Sequence, residues 1–277
     1  LYTAFIHYAV YEEGTLSLDL SQMMSFKESW NYQPYFEEYN YNPIFYNIVT
    51  AFKHFKVDVK EGVYLPEMFV YSLLYAGGCG IIATMVPCVM AYLVARFDYS
   101  FGKIVYGIVL VTMALPIVGA LPSEIRMIEN LNLMDTVVGL YILKANFLGI
   151  YFLVFHAQFK SIPKDYTEAA ELDGASDFHI MLRIIFPIAI GTISTILLLN
   201  FIMFWNDYQT PMIYWPTHPV MAYGMYYIVK VAFGQNGLNS TPVQMATIIL
   251  VAIPILILFG IFNKKIMSNM SIGGVKG

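Results

Sequence analysis

Charged residues are scarce in this chain: Lys, Arg, Asp and Glu make up 12% of its 277 residues, about half the fraction of an ordinary soluble domain. Cysteine is scarcer still, with only Cys79 and Cys88, both inside one apolar stretch. Nine positions apart on a helix, they would lie about 13 Å from each other, too far for a bridge. They read as small buried apolar groups. The net charge is only −4 and no basic stripe is present, which argues against a nucleic-acid partner. No G-x-x-x-x-G-K-[ST] phosphate loop occurs, which excludes nucleotide hydrolysis of that kind by this chain. What is abundant is apolar surface: 58% of residues are hydrophobic and the mean hydropathy is +0.61. That much cannot be hidden in one water-soluble core, so the bilayer is the expected solvent.

Three regions follow from the pattern. Residues 1–10 are apolar but too short to span a membrane, and read as the end of a truncated first transmembrane helix. Residues 11–64 are polar and aromatic and read as an extracytoplasmic segment, with a short amphipathic helix around Ile44 to Phe55. Residues 65–277 carry apolar runs at 68–95, 103–122, 136–158, 184–207 and 242–263. Each is about long enough for a helix to cross roughly 30 Å of hydrocarbon, and helices are required because the backbone must satisfy itself there. The fold class is therefore an all-α membrane protein, a bundle of about six transmembrane helices. Pro87, Pro116, Pro187 and Pro254 fall in or beside these runs, where kinks rather than breaks are expected.

Orientation follows from basic residues. One side holds Arg96, Lys103, Lys160, Lys164, Arg183, Lys264, Lys265 and Lys276, while the short loops opposite hold only Arg126 and Lys230. The loop 159–183 and the C-terminus are thus cytoplasmic, and 11–64, 123–135 and 208–241 lie outside. Tyr208, Tyr214, Trp215, Tyr226 and Tyr227 are placed as interfacial aromatics at the outer end of the fourth full span.

The cytoplasmic loop is the most informative segment. Pro163 suits the first turn of a short helix, with Asp165 and Glu168 near its positive end. Gly174 fits a left-handed cap, and Ser176 an N-cap for a helix running through Arg183 into the membrane. The helix, about 11 residues and about 16 Å long, would be marginal alone in water. Ala169 and Ala170 offer a low-profile side, and Glu168, Glu171 and Asp173 an acidic rim.

Glu168-Ala169-Ala170, three residues, Gly174, nine residues and then Ile184-Ile185-Phe186-Pro187 resembles the E-A-A…G…I-x-L-P motif of ABC import permeases, with Phe186 where the family usually has Leu. From about residue 65 onward the chain is similar to the smaller permease of maltose-type carbohydrate importers. Ala95-Arg96-Phe97, Leu172-Asp173-Gly174-Ala175-Ser176, Trp205-Asn206-Asp207-Tyr208 and the terminal Gly273-Gly274-Val275-Lys276-Gly277 carry that likeness. The resemblance implies a type I ABC importer permease fold and a bacterial cytoplasmic (inner) membrane location. It makes 163–175 a coupling helix, and it implies ATPase contacts at Glu168, Ala169, Ala170, Asp173, Gly174, Gly274, Val275 and Lys276. Its partners would be a second homologous permease, an ATPase dimer holding ATP and Mg, an extracellular or lipid-anchored solute-binding protein, and membrane lipid. This chain would hold no cofactor or metal and would not itself be an enzyme. Residues 11–64 depart from the family pattern, either as an added contact for the binding protein or as a lineage-specific insertion.

Polar residues within the membrane are few. Lys144 is the only charge well inside a predicted span, about 12 Å from its outer end; it either snorkels or pairs with a partner, or it lines a solute path. Asn200, Trp205, Asn206 and Asp207 suit a sugar path, by hydrogen bonding and stacking, or else anchor and pack the helix. His156 and His179 are isolated and read as structural. No catalytic constellation lies on one face of any span. Two alternatives to sugar import are an ABC permease for a non-sugar solute, such as glycerol phosphate or an amino acid, and an ion-coupled secondary carrier. The latter leaves the cytoplasmic motif unexplained and lacks visible internal symmetry.

Overall fold

A computed structural model of the chain describes residues 48, 56–57, 62–97, 99–115, 119–230 and 248–250, with 252, 253, 256, 257 and 260. The truncated helix expected at 1–10, nearly all of 11–64 and much of the 242–263 run lie outside the described residues. The described residues fall into two compact units, one reaching to Tyr71 and taking in Thr217–Pro254, the other built on Ser72–Pro216 with Ile255–Gly277.

In the first unit, β1 (Lys56–Val57) and β2 (Val63–Tyr64) pair antiparallel, with Lys56 opposite Tyr64 and Val57 opposite Val63. Gly62 turns the chain into β2 at φ +89, a conformation glycine takes without steric cost. Val57, Val63, Leu65, Met68 and Met221 form a buried cluster. The end of the segment read as simply aqueous therefore has a small apolar core of its own. Met221 belongs to α11 (Met221–Lys230).

The second unit is helical. Helix α1 (Leu65–Arg96), whose residues to Tyr71 belong to the first unit, runs unbroken through Pro87, and among the described residues it alone is long and apolar enough to cross a membrane by itself. Then come α2 (Ser100–Ala114), α3 (Leu121–Asn130), α4 (Val137–Lys144) and α5 (Ile150–Ser161). They are followed by α6 (Asp165–Leu172), α7 (Asp177–Ile180), a π-turn at Met181–Ile185, and α8 (Phe186–Ile188). Helices α9 (Ile190–Asn206) and α10 (Gln209–Tyr214) complete the unit.

Three of the predicted spans depart from single rods. The 103–122 run stops being helical at Ala114, just before Pro116, because a residue preceding proline is disfavoured in the α region. The 136–158 run is two helices, α4 and α5, separated by non-helical residues 145–149; at about 12 Å and 18 Å neither crosses alone. The 184–207 run is bent by 79° between Asp177–Ile188 and Ile190–Asn206. Pro187 has no N–H to offer the carbonyl four residues back, and the preceding turn is already widened, Phe186 N–H bonding to Met181 C=O. A kink was expected there, and a sharp corner is what forms. Residues 184–188 thus continue α7 through the π-turn, and the long rod α9 starts at Ile190.

The core of this unit packs the inner ends of the helices together. Cys88, Ala91 and Tyr92 of α1, Val105 and Val109 of α2, and Phe152, Phe155 and Phe159 of α5 are buried with Ala170, Ile180, Met181 and Ile185. Aromatic rings knit it: Phe159 stacks on Phe186 at 6.0 Å, and Tyr92 meets Phe159 edge-on at 5.7 Å. The phenylalanine that departs from the family's usual leucine thus fills an aromatic slot.

Candidate functional site

The 159–183 loop folds largely as its residues dictate. Helix α6 is eight residues long, about 12 Å, shorter than expected because Pro163 precedes its N-cap Lys164 rather than sitting in its first turn. Asp165 and Glu168 occupy that first turn, where the dipole favours negative charge. Its end is a Schellman cap: Gly174 N–H bonds to Glu171 C=O at 3.0 Å and Ala175 N–H to Ala170 C=O at 3.0 Å. Gly174 has φ +82, which a side chain would oppose. Ser176 Oγ then accepts from His179 N–H at 3.4 Å and caps α7.

The two alanines of the motif point differently. Ala169 is exposed, but Ala170 is 8% exposed and packs into the chain's own core. Ala170 was grouped with the outward surface; its methyl instead seats α6 on the aromatic cluster. Glu168, Asp173 and Gly174 remain exposed. Around them the loop displays apolar residues that the motif did not flag: Leu172 is 90% exposed, Phe178 67% and Tyr166 53%. A signal was available, since large apolar residues on a loop this polar lack a core to fill. Gly274, Val275 and Lys276 lie outside the described residues.

A second polar set sits at the outer end of the unit. Asp207 accepts from Tyr75 O–H at 2.7 Å, and from the backbone N–H of Gln209 and Thr210 at 3.0 and 3.1 Å. It therefore starts α10 as a cap. Lys144 Nζ reaches Thr210 Oγ1 at 3.4 Å and lies 5.5 Å from the centroid of the Phe204 ring. Lys144 is not stranded mid-helix: α4 ends at it, so its charge meets the negative end of the helix dipole. The structure brings Lys144 and Asp207 together through Thr210, a residue the sequence reading did not single out.

The other candidates separate from this pair. Asn200 is buried and donates to Thr84 Oγ1 at 2.9 Å, while Thr84 donates to Gly80 C=O at 2.7 Å. Trp205 is 1% exposed and stacks on Phe201 at 5.5 Å. Both are helix-packing groups rather than a path lining, because their polar or aromatic faces are already taken. Asn206 is exposed but turns back to its own helix, donating to Ile202 C=O at 2.8 Å. Replacing Asn200 by Ala should cost about 1 kcal/mol, the usual worth of an interhelical hydrogen bond in a membrane protein. Unfolding in detergent would measure it, and a Thr84→Val/Asn200→Leu double change should recover much of the loss.

Two of the expected interfacial aromatics are also internal. Tyr214 and Trp215 are buried, and Tyr214 O–H donates to Glu124 at 3.4 Å. Burial, and then the Glu124 carboxylate, push its pKa above the usual phenol range. Asp135 N–H bonds to Tyr214 C=O at 2.9 Å, tying α10 to the loop before α4. His156 sits among rings, 4.7 Å from Tyr106 and 6.1 Å from Phe152, a packing role.

Residues 83–271 match the family described as binding-protein-dependent transport system inner membrane component, which covers both the loop and the outer polar set. The chain belongs to this family. As an inner-membrane transport component it is 24% identical over 219 residues to the melibiose/raffinose/stachyose import permease protein MelC of Bacillus subtilis, covering 78% of each chain. It is 28% identical over 227 residues to the trehalose transport system permease protein SugB of Mycobacterium tuberculosis, covering 79% of this chain and 82% of that one. Its fold resembles a crystal structure of a bacterial ABC transporter involved in the import of the acidic polysaccharide alginate. The TM-score is 0.55 at 20% identity, over 90% of this chain and 99% of that one.

Proposed function

We propose that this permease carries a sugar or oligosaccharide across the membrane, with ATP hydrolysed by a separate ATPase that docks on α6. One observation carries the docking: Leu172, at the capped end of α6, is 90% exposed, and Phe178 and Tyr166 of the same loop are exposed as well. An apolar side chain held that far into water by a rigid cap marks a protein contact. Glu168, Ala169, Asp173 and Gly174 surround it as the polar rim, and Ala170 anchors the helix from behind. The tail residues Gly274, Val275 and Lys276 are proposed as a second contact with the same partner. ATP and Mg would be bound by that partner, a second permease would complete the pathway, and an extracellular or lipid-anchored protein would deliver the solute.

The sugar reading draws on relatives named for melibiose, raffinose, stachyose and trehalose transport. Within this chain the solute path is assigned to Lys144, Asp207 and Asn206 with the unwound residues 145–149. Irregular backbone at membrane depth is tolerated only where protein buries it or water reaches it, and Ala145, Asn146 and Leu148 are exposed. The test is to purify the chain with the ATPase, second permease and binding protein encoded beside it and assay sugar uptake into proteoliposomes. The docking reading expects the ATPase to co-purify with the native chain and to be lost with Glu168→Lys or Gly174→Asp. Absence of the ATPase from the native preparation would refute docking. Uptake of none among mono-, di- and oligosaccharides, with uptake of another solute, would refute the sugar assignment.

A further inference from the structure

A cavity of about 200 Å³ lies between the end of α1 and the 159–183 loop. Arg96, the last residue of α1, is one of its walls, and the Nε and Nη2 groups of that guanidinium are buried without a hydrogen-bond partner among the described residues. A guanidinium stays charged in a protein. Buried N–H groups of a cation that lack an acceptor are costly and call for an explanation.

Acceptors stand on the opposite wall. Glu168 and Glu171 project from α6 and Asp177 opens α7, all lining the same cavity and all exposed. With Lys164 as the other cation, two positive and three negative side chains line the space. That balance does not suit a free anion, whereas it suits closure of the cavity on its own charges.

We infer that Arg96 is a positioning residue for coupling, which clamps α6 to the end of α1 by pairing with Glu171 and Asp177 when the docked ATPase presses the loop inward. The clamp rests on the docking proposed above. The partner covers the outer, Leu172 face and removes water from the carboxylate rim, which strengthens an ion pair formed there. The planar fork of arginine takes two carboxylate oxygens at once, so the joined elements move as one body. Without the clamp, motion of the ATPase is spent on tilting α6 against a compressible gap.

The experiment uses the complete importer in proteoliposomes and reads solute transported per ATP hydrolysed, together with ATPase retention. R96Q and the double variant E171Q/D177N are each expected to keep the ATPase bound and to lower transport per ATP about tenfold, a typical coupling effect. R96K keeps the charge but loses the fork, and should fall between R96Q and native. Native transport per ATP in E171Q/D177N overturns the clamp, whatever R96Q does. Because Glu171 and Asp177 are exposed, that variant also decides the matter should R96Q fail to accumulate. Loss of the ATPase from the native complex is a different result, and refutes docking itself.

Discussion

Leu172→Asp is expected to strip the ATPase from the permease while leaving the permease folded. The side chain is 90% exposed, so it contributes almost nothing to the core and its removal leaves no cavity. The cap that holds it is made entirely by backbone groups of Ala170, Glu171, Gly174 and Ala175, which the substitution does not touch. In a docked complex the leucine would lose its hydration, worth about 1.5–3 kcal/mol. An aspartate in its place would bring a buried, unpaired charge. The sum is a hot-spot loss of at least about 2 kcal/mol, or roughly thirtyfold in Kd. Titration of detergent-purified permease with the ATPase would measure it, and Leu172→Met should bind nearly as the native chain does. An unchanged Kd for Leu172→Asp would remove the loop from the interface.

Gly139→Ala is expected to destabilise the permease by about 2–3 kcal/mol, an overpacking loss at the upper end of the usual range. A Cβ at this position would run into the backbone carbonyl oxygen of Leu133. That oxygen is held in place, accepting from Thr136 O–H at 2.7 Å, and Thr136 Oγ1 in turn accepts from Gly139 N–H at 3.1 Å. Because the obstacle is backbone inside a cap, it cannot swing aside as a side chain would. The tight loop leading into α4 already carries Asn132 and Asp135 at φ 52 and 58, and a displaced Leu133 would unsettle both. Thermal unfolding in detergent would show the loss. Gly77→Ala and Gly107→Ala, where a Cβ meets nothing within 4 Å, should show none. Equal stability of Gly139→Ala and these controls would contradict the steric argument.

The loop was the most legible part of the sequence because its signals are local. Gly174 caps α6 at positive φ and Ser176 caps α7, as their chemistry requires irrespective of what surrounds them. The spans were less legible because hydropathy measures what lipid tolerates and is blind to backbone direction. Residues 136–158 are mostly apolar, Lys144, Asn146, His156 and Gln158 being the main exceptions, so their mean hydropathy does not distinguish one rod from two. Only the contacts of Lys144 with Thr210 and Phe204 give the helix end there a reason. The sequence reading likewise joined Asn200, Trp205, Asn206 and Asp207 because they share one helix and its end. They separate in the structure because a helix turns successive residues to different faces.

The sequence by itself determined the solvent and the family, since these follow from composition and from a motif of fixed spacing. Only the tertiary structure decided which face each residue presents. It seated Ala170 inward and left Leu172 in water, turned Asn200 to Thr84, and set Arg96 across a gap from Glu171 and Asp177. The physical reason is that burial and pairing depend on side chains far apart in the chain, such as residues 96 and 177. No local pattern encodes which of them will meet.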